Sequence, residues 1–311
     1  MSDAAAAAPS ARAPRRGRRL RAGDVVAIAA PSGPVAPHEL HLAGEALRAR
    51  GFVALQRHGV AERQGHLAGG DWRRAGELNA LLGDLSVRAV WCARGGFGAA
   101  RLLDALDFGA VRADPRPLVG FSDATALLCG LWAAARLCTV HGPLAAGAPH
   151  MTPRTAAALW RLLCDPTPPG RLDAPGELRA LRAGRAEGPL VGGNLATLAA
   201  LCGTPFFPPL DGAVLFLEED PGDSLIVIDR ALTQLRLCGA LAGVAGVVLG
   251  AWPRDPAAEA LVVEALGARA VPVVTGFPAG HGTENVPLPM GATVRLDRES
   301  LTALDGVVVE D

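Results

Sequence analysis

Short apolar runs alternate with amphipathic stretches along most of this chain. The run Asp24-Val-Val-Ala-Ile-Ala-Ala stops at Pro31-Ser32-Gly33-Pro34, the turn chemistry that closes a buried strand. From His38 to Arg50, Leu40, Ala43 and Leu47 recur at helical spacing and share one face. The same reading predicts strands over 52–55, 87–92, 117–121 and 138–141, with helices over 72–82, 99–106 and 124–136 between them. Strands that alternate with helices imply a mostly parallel sheet with helices on both faces, so the fold class is α/β of the doubly wound kind.

The alternation breaks down after Cys164, in DPTPPGRLDAPGELRALRAGRAEG, and resumes with a different rhythm. Strand signals then come closer together, at 214–218, 225–228, 244–249, 271–275, 293–296 and 307–309, with helices expected over 194–202, 229–237 and 256–266. The division this suggests is a disordered tail over 1–19, an N-terminal α/β domain over 20–165, a linker over 166–188, and a smaller mixed α+β domain over 189–311. No fixed-period repeat is present.

Composition narrows the function classes. Of 311 residues half are hydrophobic and a fifth charged, enough to bury a large core as a soluble globular protein. The formal net charge of -1 provides no overall field toward nucleic acid or an anionic membrane, so neither is expected as a partner. The six cysteines form no CxxC pair and have no histidine at metal-ligand spacing, which reads as reduced thiols in a reducing cytoplasm. In the tail the Ala4–Ala8 run precedes the arginines, the reverse of a secretory signal, and no later stretch reaches the ~20 apolar residues that cross a bilayer.

The sharpest local chemistry is Pro117-Leu-Val-Gly-Phe-Ser-Asp-Ala, where an apolar strand turns at Ser122 straight into an Ala/Leu-rich helix. This lifts a hydroxyl to the positive end of a helix dipole, as at a nucleophile elbow, although Ala124 replaces the second Gly of GxSxG. Taken alone, a strand-end Ser followed by Asp reads first as a helix N-cap. A nucleophilic serine needs a base and a group to orient that base. His281, in the glycine-flanked loop Gly276-Phe-Pro-Ala-Gly-His-Gly, and His141, in Thr-Val-His-Gly-Pro, are the two candidates among seven histidines. Val214-Leu-Phe-Leu-Glu-Glu-Asp ends a strand at Glu218, a position suited to an orienting carboxylate or to a solvated acidic turn. Arg94-Gly-Gly-Phe-Gly follows another buried strand and can present backbone N–H groups to a ligand. Gly192-Gly193-Asn194, entering a helix, reads first as a tight loop with a helix N-cap and second as another candidate ligand-facing turn.

In shared order these segments resemble the LD-carboxypeptidases, or muramoyltetrapeptide carboxypeptidases, and the related microcin-C immunity peptidases. The similarity runs from Gly23-Asp24 and Ala30-Pro31-Ser32-Gly33 through Gly69-Gly70-Asp71 with Arg74, Cys92-Ala-Arg-Gly-Gly-Phe-Gly, Gly120-Phe-Ser-Asp and His141-Gly-Pro. It continues through Gly193-Asn194-Leu, Gly203-Thr-Pro, Leu215-Phe-Leu-Glu, Ile228-Asp-Arg and Gly276-Phe-Pro-Ala-Gly-His-Gly with Asn285. The resemblance implies a Ser–His–Glu triad at Ser122, His281 and Glu218, with no metal or organic cofactor. It also implies a cytoplasmic homodimer whose N-terminal domain is like that of class I glutamine amidotransferases. The expected reaction is hydrolysis of the bond to the terminal D-Ala of a murein tetrapeptide in peptidoglycan recycling. Backbone N–H groups of Asp123 and Gly96 are the expected oxyanion donors, and Arg94 and Asn194 the expected substrate contacts.

Two departures bear on substrate choice. The family usually carries Tyr where Phe97 stands, and this chain has no Tyr. The acidic segment reads Glu218-Glu219-Asp220 with Asp223, where the family usually has Leu-Glu-Asp and a second Glu three residues on. The competing readings are an immunity peptidase that cleaves a peptidyl or aminoacyl nucleotide amide, and a murein-fragment binder without turnover. The first needs an aromatic ring for the base, while Trp91, Trp132, Trp160 and Trp252 read as core.

Overall fold

Continuous apolar runs become central strands, because a strand covered on both faces has no need of alternation. A computed structural model describes residues 13–172, 174 and 178–310. In chain order the strands are β1 (Gly17–Arg18), β2 (Val25–Ala29), β3 (Val53–Gln56), β4 (Val87–Cys92), β5 (Leu118–Gly120), β6 (Thr139–His141), β7 (Gly170–Arg171) and β8 (Arg179–Arg182). They continue with β9 (Ala186–Asn194), β10 (Val214–Glu218), β11 (Gly246–Leu249), β12 (Val273–Thr275), β13 (Leu288–Met290), β14 (Thr293–Asp297), β15 (Ser300–Ala303) and β16 (Val308–Val309). The α-helices are α1 (Pro37–Arg48), α2 (Asp71–Gly83), α3 (Phe108–Ala113), α4 (Thr125–Ala135), α5 (Pro153–Cys164), α6 (Leu195–Ala200), α7 (Leu225–Leu237) and α8 (Pro256–Leu266).

Two sheets organise the chain. The six-stranded sheet runs β13-β6-β5-β4-β2-β3, parallel except for β13, which pairs antiparallel to β6 with Leu288 opposite His141. The eight-stranded sheet runs β7-β15-β14-β9-β10-β11-β12-β8, with a parallel centre of β9 to β12 and antiparallel flanks. Through β13, a segment late in the chain completes the edge of the first sheet.

Helix α4 lies between the sheets, packing on β6 on one side and on β9 and α6 on the other. That position explains why it is apolar all round: Leu127, Leu128, Leu131 and Trp132 are all buried. Each such leucine contributes roughly 1.5–3 kcal/mol relative to exposure. The helix that carries Ser122 at its head is therefore held firmly from both sides.

Several expectations change. Residues 1–12 of the expected disordered tail lie outside the described residues, whereas 13–19 are ordered. Arg15 N–H donates to the Arg136 carbonyl at 2.8 Å, β1 pairs parallel with β16, and Arg16 and Arg19 pair with Asp305 and Glu310. The arginines there read as a charged tail because their acidic partners lie at the other end of the sequence. In the expected linker, β7 and β8 form the two edges of the eight-stranded sheet and β9 begins at Ala186. Edge strands pair on one side and carry exposed charge, so their sequence lacks a buried-strand signature. Residues 225–228 begin α7 instead of forming a strand: Ile228, Ala231, Leu232 and Leu235 are its buried face, a period that a four-residue window cannot reveal. Residues 99–105 form a 3-10 helix.

Candidate active site

The chain turns sharply at the carboxyl end of β5. Phe121 is extended, Ser122 has φ 62°, and the backbone then winds through a 3-10 turn into α4. Ser122 and Arg136 are the non-glycine residues with positive φ among those described. Holding a serine there costs on the order of 1–3 kcal/mol and turns its hydroxyl out of the strand at the helix head. Gly120 makes the turn possible, since a Cβ there would lie 2.8 Å from that of Ala124 and 3.1 Å from that of Cys92.

Glu218 ends β10, fully buried, in register with Asn194 of β9. The loop after β12 carries His281 up to it. There the Gly280 N–H donates to Asn285 Oδ1 at 2.9 Å, and a Cβ on Gly280 would lie 2.3 Å from Glu218 Oε2. With φ 100° as well, position 280 accepts only glycine without distortion. Glu218 Oε2 takes two donors from one residue, the His281 backbone N–H at 3.1 Å and Nδ1 at 2.7 Å. A buried carboxylate can only accept, so Nδ1 carries the proton and Nε2 is left to accept from Ser122 Oγ, 3.1 Å away. Burial lowers the basicity of His281, but the hydrogen bond and charge of Glu218, aided by Asp220 and Glu219, outweigh it and hold the imidazole above the ordinary histidine value.

His141, the competing histidine, packs next to the site on Phe121 but makes no hydrogen bond to Ser122. It is fully buried, 4.9 Å from the ring of Phe216 and 5.8 Å from that of Phe121, and neither of its ring nitrogens has a hydrogen-bond partner. Burial pushes its pKa down to about 4, so this imidazole is neutral. The contact with Ser122 is made by His281.

The turn 94–98 lies against the elbow. A Cβ on Gly95 would be 3.1 Å from Ser122 Oγ, and Asp123 Oδ2 accepts from Ala99 N–H at 2.9 Å, tying the helix head to this turn. The Gly95 carbonyl accepts from Gly33 N–H at 2.9 Å, so the trans peptide directs the Gly96 N–H away from the Gly33 loop. Arg74 supports the same region with a donor pattern whose role the sequence reading did not assign. Fully buried in α2, it donates to the carbonyls of Pro31, Gly98 and Gly69 and pairs with Asp71. Its signal in the sequence was an arginine on the buried face of a helix.

Arg94 is exposed, 3.8 Å from Glu39 Oε2, and lines a cleft of about 500 Å³ together with His281, Phe121, Asp220 and Glu284. It is thus placed in the same cleft as His281. Asn194 is not. Its Nδ2 donates to Glu219 Oε1 at 2.5 Å, its Oδ1 caps α6 by accepting from Thr197 N–H at 3.0 Å, and it is nearly buried. The expected substrate contact at Asn194 is therefore corrected: its polar atoms hold the buried Glu219, whose carboxyl burial pushes upward in pKa. Among the described residues, no three His, Cys, Asp or Glu side chains gather as a metal site.

Comparison with known proteins gives a consistent result. Residues 26–142 match the LD-carboxypeptidase N-terminal domain and residues 187–296 the LD-carboxypeptidase C-terminal domain. A Streptomyces coelicolor protein assigned by name as a carboxypeptidase is 38% identical over 92% of this chain and 94% of its own length. The murein tetrapeptide carboxypeptidase of Pseudomonas aeruginosa is 33% identical over 89% of this chain and 94% of its own. In fold the chain superposes on the microcin C7 self-immunity protein MccF, in complex with glutamyl sulfamoyl guanosine, with a TM-score of 0.87 at 22% identity, covering 95% of this chain and 100% of that one.

Proposed function

We propose, since this chain belongs to the LD-carboxypeptidase family and is a serine-type carboxypeptidase, that it removes the terminal D-Ala of murein tetrapeptides. The observation that supports this reading is the unbroken hydrogen-bonded path from Ser122 Oγ through His281 to Glu218, starting at a strained elbow.

His281 Nε2 takes the Ser122 proton as Oγ attacks the carbonyl carbon of the penultimate, L-centred residue. Glu218 stabilises the imidazolium that forms. The tetrahedral oxyanion is held by the N–H groups of Asp123 and Gly96, where loss of one donor typically costs ~10²–10³ in rate. Collapse expels the D-Ala amine, which takes the proton from Nε2. Water, activated by the same imidazole, then hydrolyses the acyl-enzyme and restores Ser122. Arg94 at the cleft mouth reads the substrate carboxylate with its guanidinium fork. In this scheme Ser122 belongs to an N-terminal domain and Glu218 and His281 to a C-terminal one, in a cytoplasmic homodimer.

The test is mass-spectrometric detection of D-Ala released from a murein tetrapeptide by the wild type and by Ser122→Ala. Release by the wild type alone supports substrate and nucleophile together. Equal release by both removes Ser122 from the mechanism. Release by neither, with cleavage of an aminoacyl sulfamoyl nucleoside instead, moves the assignment to the immunity-peptidase reaction.

A further inference from the structure

Three of the six cysteines, Cys92, Cys129 and Cys138, are buried, and loss of solvation pushes their thiols up to about 12. Such thiols are chemically inert. Cys202 and Cys238 are different. Cys202 follows the carboxyl end of α6, Cys238 caps the carboxyl end of α7, and their sulfurs are 3.5 Å apart. Cys238 is exposed, and both line a cavity of about 1020 Å³ whose wall also holds Arg112, Arg136 and Phe207, remote from the Ser122 cleft. Two sulfurs in contact need to close by only about 1.5 Å to reach bonding distance, a movement within reach of side-chain rotation.

We propose that Cys202 and Cys238 form a reversible disulfide, a modification site for a small hydroperoxide that enters this cavity. The exposed Cys238 reacts first. Its thiolate attacks the O–O bond of hydrogen peroxide and takes one oxygen as a sulfenic acid, and the other leaves as water. Cys202 Sγ then attacks Cys238 Sγ, the S–O bond breaks, and a second water departs with the remaining thiol proton. In sum two thiols and one peroxide give one disulfide and two waters, with sulfur oxidised and oxygen reduced. The order of events fits the two environments: burial, and then the neighbouring sulfur, push the Cys202 thiol up to about 12, which keeps its proton on until Cys238 has reacted.

Position in the fold defines what the bridge does. α6 and α7 flank β10, and their amino ends face the site through Asn194 and the 218–225 segment. The cysteines lie at the opposite, carboxyl ends. A bond there ties the frame behind Glu218 together without touching substrate. The residues are 36 apart, and a loop of that size removes enough unfolded-chain entropy to raise the melting midpoint by about 5–10 °C.

Wild-type protein is treated with hydrogen peroxide, alkylated and digested. The expected product is a peptide pair joined at Cys202 and Cys238 that dithiothreitol separates. It is accompanied by the rise in melting midpoint and unchanged kcat/KM, and Cys202→Ser and Cys238→Ser show neither link nor rise. Cys238 carried on to sulfinic acid while Cys202 is still alkylatable overturns the proposal. So does a link between Cys238 residues of two molecules, or a pair still reduced when a free cysteine peptide in the same tube is oxidised. The wild-type digest decides the matter even where a variant folds poorly.

Discussion

Glu218→Gln isolates the charge of the orienting residue with little change in shape. Glu218 is fully buried, and its Oε2 accepts both from His281 Nδ1 at 2.7 Å and from the His281 backbone N–H at 3.1 Å. A glutamine oxygen can occupy the same place and keep both hydrogen bonds, so the loss is that of a negative charge beside a forming imidazolium. Two unit charges about 4 Å apart interact by ~4 kcal/mol at an effective dielectric of about 20. A loss of about 3–5 kcal/mol in the transition state corresponds to kcat lower by ~10²–10⁴. If the glutamine turns its amide nitrogen inward, His281 is driven to the wrong tautomer and the loss lies at the upper end. The same substitution removes the group that raises the His281 pKa. Because the base must be neutral to accept the serine proton, the wild-type acid limb of kcat/KM lies above the ordinary histidine value and that of Glu218→Gln moves to lower pH. The assay is D-Ala release followed through a coupled D-amino-acid oxidase across the pH range, with circular dichroism to confirm folding. A decrease under about tenfold, or an acid limb that stays in place, would refute the role given to Glu218.

Two further outcomes follow from the surroundings of the site. Asn194→Ala loses a helix cap and leaves Glu219 short of a donor, so denaturant unfolding should show about 2–4 kcal/mol less stability with KM within about twofold of wild type; a tenfold rise in KM at unchanged stability would return Asn194 to the substrate cleft. His141 has its folded pKa depressed to about 4 against ~6.5 unfolded, so the stability it contributes is present above the unfolded value and is lost as pH falls toward the folded one; the drop from about pH 7 to about pH 4 amounts to about 3 kcal/mol, and His141→Phe should show an acid limb of unfolding shallower by that amount.

What the sequence disclosed depended on how local each signal was. β4, β10 and α8 follow closely from their own residues, since Val87–Cys92 and Val214–Glu218 are apolar runs bounded by polar turns and Pro256 opens a helix capped by Asp255. β7, β8 and β13 did not, because each is defined by a partner far along the chain and carries Gly, Arg or Pro in place of a strand-like run. The same contrast holds in the site. Ser122, Glu218 and His281 each end or follow a strand, so their positions were readable. The second task of Asn194 was not, because nothing in Gly193-Asn194-Leu195 indicates that Glu219, itself 25 residues away, would be buried against it. Between His281 and His141 the local pattern left the choice open, since both follow strands; the family resemblance implied His281, and in the fold it is His281 Nε2 that lies 3.1 Å from Ser122 Oγ.

The location of the site follows from how the two sheets face each other. Open parallel sheets offer reactive groups at the carboxyl ends of their strands. Here β4 and β5 deliver the 94–98 turn and Ser122 from one sheet, while β10 and β12 deliver Glu218 and the His281 loop from the other. Such an arrangement works only if the sheets are fixed relative to each other to within a few tenths of an ångström, because a hydrogen bond of 3.1 Å between Ser122 and His281 has no slack. α4 provides that constraint. It follows directly on the 3-10 turn that Ser122 opens, is buried over most of its length between the sheets, and its first residue, Thr125, accepts the Asn194 N–H through Oγ1 at 3.0 Å. One helix thus sets both the attitude of the nucleophile and the distance to the sheet that holds its base. A cavity cut in its buried face, such as Leu131→Ala, therefore reaches the chemistry through geometry: besides the ~2–5 kcal/mol usual for such a deletion, it loosens the Ser122–His281 contact without touching either residue.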